Sequence, residues 1–234
     1  MFDALFALLH EIRSLAERRE KVTEDNFTRF VEDLYKQFQP VARDYIHLFE
    51  TLGRNGARAG STQEFDQAFI EFERQRAEFE SVRRDIERTA STYGRALNKD
   101  DIQELFVSMT YFFYDEGTGG SMSRQMQQRF HKLIEHRKNL EHEREEIPLA
   151  SPAQTRGPYM GAWSPASPFG YRDPFSDRMQ EEQRRTSLEI LDEQEKQNRA
   201  ECVREAEEKT VYCKNAWEKI NRQYADLRVK YLLK

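Results

Sequence analysis

The sequence predicts an all-α fold: an elongated helical bundle with long antiparallel helices and a long, coiled-coil-like C-terminal helix. Three observations carry this. Six of the seven prolines (Pro148, Pro152, Pro158, Pro165, Pro168 and Pro174) share one window and the 234 residues hold only ten glycines, so long tracts lack helix breakers. Within those tracts apolar residues recur every three or four positions, the period of an amphipathic helix. Charged residues make up 34% of the chain and apolar ones 38%; against a usual charged share of about 25%, this means much surface for little core.

The elements follow in order. Phe2, Leu5, Phe6, Leu9, Ile12 and Ala16 form one helical stripe that ends near Glu20. Thr23, Glu24 and Asp25 announce a second helix with Phe27, Phe30, Val31, Leu34, Phe38, Val41, Tyr45, Leu48, Phe49 and Leu52 on its buried side. Pro40 is expected to kink or divide that helix, and the run from Gly53 to Gly60 to break it. Ser61 and Glu64 form a capping-box pattern that starts a third helix. There Phe65, Phe72, Phe79, Ile86 and Tyr93 fall seven apart. The companion positions Ala68, Gln75, Val82 and Thr89 are too polar for a simple coiled coil, so this row is expected to pack on the second helix in an antiparallel hairpin.

Asn98 is placed to cap a fourth helix whose Ile102, Leu105, Phe106, Met109, Phe112 and Phe113 make it the most apolar surface and the expected centre of the bundle. Gly117 to Gly120 ends it. Ser121 is expected to cap a fifth helix, with Met122, Met126, Phe130, Leu133, Arg137 and Leu140 inward, that runs to about Glu146, where Pro148 stops it.

This divides the chain into a bundle at 1–147, a Pro- and aromatic-rich linker or strap at 148–176, and a long helix at 177–234. From Asp177 to Leu232, 56 helical residues would span roughly 84 Å. The first half of that helix has few apolar anchors (Met179, Leu188, Leu191) and is expected to lie in solvent or in a partner. The second half has a seam of Ala206, Thr210, Cys213, Trp217, Ile220, Tyr224, Leu227 and Tyr231, and is expected to be covered.

Charge argues against a nucleic-acid partner. Residues 1–147 carry 22 basic against 28 acidic side chains and residues 176–234 carry 13 of each, so neither part is a basic domain. Lys214 to Lys234 is locally positive, with six basic residues against Glu218 and Asp226. Its aromatics fall on the seam rather than among the charges, which favours a packed helix with a cationic outer face, as suits a helix C-terminus. Cys202 and Cys213 lie eleven residues apart in one helix, roughly 16 Å. That is beyond disulfide reach, and a reduced, intracellular chain is the simpler reading. The N-terminus has Asp3 and no basic leader, unlike a signal peptide, and no apolar run reaches the ~20 residues of a membrane span. A cytoplasmic location is expected.

Chemistry-bearing patterns are weak. His131 and Glu135 share a face, but His142 lies too far along the axis to join them, and His136 points elsewhere. The Glu-x-x-His spacing of di-iron bundles is absent, because Gln128, Leu133 and Asn139 stand three residues before the histidines. Gly117 to Arg124 lacks the P-loop spacing. The two cysteines have no local histidine, and no serine occupies a nucleophile elbow. No catalytic, cofactor or metal residue is therefore assigned.

The aromatic rings of the linker need explanation, since a pure spacer would contain none. Tyr159, Trp163, Phe169, Tyr171 and Phe175 are expected to make contact, either as a strap across the bundle, the preferred reading, or as a linear motif for a partner. The expected function is a structural or adaptor subunit that binds a protein partner or itself. Its anchors would be Trp163, Phe169, Tyr171 and Phe175 with the seam residues Trp217, Tyr224 and Tyr231. The alternative is a peripheral membrane protein that inserts Phe2, Leu5, Phe6 and Leu9.

Overall fold

The computed structural model describes residues 2–17, 27–97, 100–115, 120–146 and 174–232. Among them are six α-helices: α1 (Asp3–Glu17), α2 (Asp33–Arg58), α3 (Thr62–Leu97), α4 (Asp100–Tyr111), α5 (Met122–Glu146) and α6 (Pro174–Leu232), with a π-helical segment, Phe27–Glu32, leading into α2. The one extended pairing among the described residues is an antiparallel bridge between Tyr114 and Ser121. The all-α class and the long C-terminal helix are as the sequence predicts. Trp163, Phe169 and Tyr171, the cap assigned to Asn98, and Thr23 to Asp25 lie outside the described residues, and Phe175 falls in the first turn of α6. The chain forms two units, Met1–Phe130 with Ala200–Lys234, and His131–Arg199. The boundaries between them fall within α5 and within α6.

In the first unit the apolar stripes close on one another. Phe2, Leu5, Leu9 and Ile12 of α1 are buried, with the Phe2 ring 5.5 Å from that of Phe79, and Arg13 Nη1 pairs with Asp85 at 3.2 Å beside them. The heptad row Phe65, Phe72, Phe79 and Ile86 is buried along α3, and Phe69, off that row, is buried too. Phe49 meets Phe72 at 5.7 Å, which joins α2 to α3 as expected of the hairpin. Ile102, Leu105, Phe106 and Met109 of α4 are buried, as are Phe112 and Phe113 just after it. Phe113 at the end of α4 touches the rings of Phe38, Tyr45 and Phe112 edge-on, the arrangement that the ring quadrupole favours.

The capping box at the start of α3 forms with a one-residue shift. The Glu64 N–H donates to Ser61 Oγ at 3.2 Å, while Glu64 Oε2 accepts from the N–H of Gly60 at 2.7 Å. Ser121, expected to cap α5 with its side chain, instead donates its hydroxyl to Glu80.

Two expectations for α2 need correction. Pro40 does not divide it: the helix runs from Asp33 to Arg58 with Pro40 inside. Nor do the glycines end it at residue 53, because Gly53 and Gly56 are helical and buried. The reason is tertiary. A Cβ on Gly56 would stand 3.0 Å from Val203 Cγ2 and 3.4 Å from Phe65, and one on Gly53 would stand 3.4 Å from Glu207 and 3.8 Å from Ala206 Cβ. The glycines let α6 approach α2 closely, and that packing offsets their helix penalty of roughly 1 kcal/mol each.

The second unit pairs the C-terminal part of α5 with the first part of α6. Leu133, Leu140 and Leu191 are buried, as is Glu195. Glu195 faces Arg137 at 3.4 Å, Arg199 at 3.2 Å and Arg144 at 3.9 Å, and Arg144 also pairs with Asp192. This part of α6, expected to lie in solvent or in a partner, therefore has a partner within its own chain. Its few leucines are supplemented by guanidinium–carboxylate pairs that the apolar pattern does not register.

Candidate interaction surface

The seam residues assigned to a partner are turned to the chain itself. The Tyr35 ring stacks on Tyr224, with centroids 3.6 Å apart and planes 5° apart, and on Trp217 at 5.6 Å. Trp217 also lies 6.1 Å from Phe38. The Tyr35 hydroxyl donates to Asn221 Oδ1 at 2.7 Å, and burial pushes the Tyr224 phenol up. Tyr231 is half-buried, with Lys230 Nζ 5.5 Å from its ring centre. The basic end of α6 is partly neutralised in place. Lys214 Nζ meets Glu50 Oε1 at 2.7 Å, and this hydrogen bond holds the Glu50 carboxyl below its usual range.

The membrane candidates are also occupied. Phe2, Leu5 and Leu9 are core residues and Phe6 is half-buried. Both cysteines are fully covered, Cys213 as its place on the seam predicts. Burial pushes the Cys202 thiol up to about 11, against the pull of Arg129, and pushes Cys213 up further. A thiol that stays protonated is a poor nucleophile. Cys213 contacts Met122, sulfur to sulfur at 3.9 Å. His131, Glu135, His136 and His142 are exposed on α5, and no group of three or more metal-ligating side chains gathers among the described residues.

A buried polar network was not expected from the sequence. Glu80 Oε1 accepts from Ser123 at 2.7 Å and from Ser121, and Glu80 Oε2 accepts from Arg83 Nε at 3.2 Å. Burial works against the charge on Glu80, but the two serines and Arg83 outweigh it and hold the carboxyl below its usual value. Arg83 continues to Glu87 at 3.1 Å and donates to the Tyr114 hydroxyl, and its guanidinium lies 5.1 Å from the Tyr114 ring centre. Tyr114 in turn donates to Glu87 at 3.3 Å. Across the Tyr114–Ser121 bridge, Asp115 N–H donates to Gly120 O at 3.0 Å and Met122 N–H to Phe113 O at 3.0 Å. Lys209 of α6 donates to Asp115 and, at 2.9 Å, to Gln125. The network thus fixes the turn at residues 112–115 that follows α4.

That turn borders a groove of about 690 Å³ between α4 and the C-terminal half of α6, lined by Tyr111, Tyr114, Asp115, Tyr212, Asn215 and Lys219 among others. Two large apolar side chains in its lining face solvent: Val107 is 38% exposed and Tyr111 59%. Tyrosines present rigid apolar area with a polar edge, the residue type favoured at contacts between proteins. None of these groove residues was singled out from the sequence. Part of the signal was available: Val107 and Tyr111 stand one turn apart on α4, both large and both off the buried stripe of that helix. Comparison with protein-family models, with curated proteins and with solved structures found no match.

Proposed function

We propose that this chain is a non-enzymatic structural or adaptor subunit of a cytoplasmic assembly, and that it takes a protein partner in the groove between α4 and α6. One observation carries this reading: exposed Val107 and Tyr111 lie with Tyr114 and Tyr212 along one groove, while the seams of α2, α3 and α6 are used within the chain. Scattered exposed apolar residues are ordinary; several together at a concave site mark an interaction surface. The titratable groups beside the groove support binding rather than catalysis, since Asp115 is paired with Lys209 and Tyr114 with Arg83 and Glu87. A membrane role through Phe2, Leu5, Phe6 and Leu9 would require α1 to leave the bundle and expose its core face, so it is the weaker reading.

The test is site-specific photo-crosslinking in the cell of origin, with a photoreactive phenylalanine at position 111 or at position 70. Ile70 is 55% exposed on α3 and serves as the control surface. A discrete adduct from position 111 alone, lost on adding Val107→Ala and Tyr212→Ala to a chain of unchanged helicity, is the expected result. Equal adducts from both positions, or none, would sink the reading.

A further inference from the structure

We draw no further inference here: the strongest candidate, the tyrosine-lined groove between α4 and the C-terminal half of α6, belongs to the site already described, and nothing in the structure shows what covers it.

Discussion

The two units are built from helices of similarly high charge, yet they hold together by different means. In the unit formed by Met1–Phe130 and Ala200–Lys234, the aromatic rings of α2, α3 and α4 interlock, and Phe38, Tyr45, Phe49, Phe65, Phe69, Phe106, Phe112 and Phe113 are almost fully buried. In His131–Arg199 the described buried apolar residues are three leucines, joined by one buried glutamate among three arginines. Aromatic burial needs no charge partner, and truncating one buried phenylalanine typically costs about 3–5 kcal/mol. A partly buried ion pair returns little net stability when intact, because desolvation consumes most of the Coulomb gain, but its loss is costly when one charge is left facing nothing. The contrast teaches that charge-rich helices acquire a robust core only where aromatic stripes meet; elsewhere pairing sets register more than it adds stability.

The largest expected effect is in the aromatic unit. Phe113→Ala removes a ring shared by Phe38, Tyr45 and Phe112 and should cost about 3–5 kcal/mol, read from denaturant unfolding by near-UV circular dichroism. A loss under about 1 kcal/mol would mean that the cluster is not what holds this unit.

Next comes the ion-paired unit. Glu195 and Arg137 have side chains only 11% and 12% exposed, so Glu195→Gln leaves three guanidiniums without their common carboxylate and should cost about 3 kcal/mol. Hydrogen exchange should speed up across residues 131–146 and 178–199 while the amides of α2 and α3 keep their protection. Arg144→Ala, whose partner Asp192 is 71% exposed, should cost less than about 1 kcal/mol. Equal losses from the two substitutions would erase the distinction between buried and exposed pairs.

A third test uses pH. Because the folded Glu80 carboxyl lies below its unfolded value of 4.5, its stabilising contribution is complete above about pH 4.5 and disappears as pH falls through the lower folded value. Glu80→Gln should therefore cost roughly 1.5–3 kcal/mol at pH 7 and converge with the wild type in acid. A difference that stays constant from pH 7 down to pH 2 would show that the charge contributes nothing.

The smallest effect distinguishes the two helical glycines. Gly53→Ala places its Cβ in ordinary contact, whereas Gly56→Ala crowds Val203 at 3.0 Å. Gly53→Ala should raise stability by up to about 1 kcal/mol through helix propensity, and Gly56→Ala should give less or none. If the order is reversed in thermal melts, α6 does not approach α2 as described.

Much of the fold was legible in the sequence because helical periodicity is local. Phe2, Leu5, Leu9 and Ile12 of α1, Phe65, Phe72, Phe79 and Ile86 of α3 and the stripe from Ile102 to Phe113 are buried as read, and Ser61 and Glu64 do cap α3. What failed was read from residue type alone. Gly53 and Gly56 signal a break in isolation, and only the approach of Ala206 and Val203, about 150 residues later in the chain, makes them helical packing positions. The charges of α6 near Glu195 look solvated until Arg137 and Arg144 are brought beside them. The candidate groove was hidden for a related reason: Tyr111 and Tyr212 are unremarkable on their own helices and form one surface only when α4 and α6 meet.

By itself the sequence determined the all-α class and the apolar faces of α1, α3 and α4, since both depend on side-chain spacing over a few turns. The tertiary structure alone decided which faces meet, that the aromatic seam of α6 packs on Tyr35 and Phe38, and that two serines and Arg83 gather around the Glu80 carboxylate. Those outcomes depend on contacts between residues far apart in the chain, where shape and charge complementarity select among pairings that local pattern leaves equivalent.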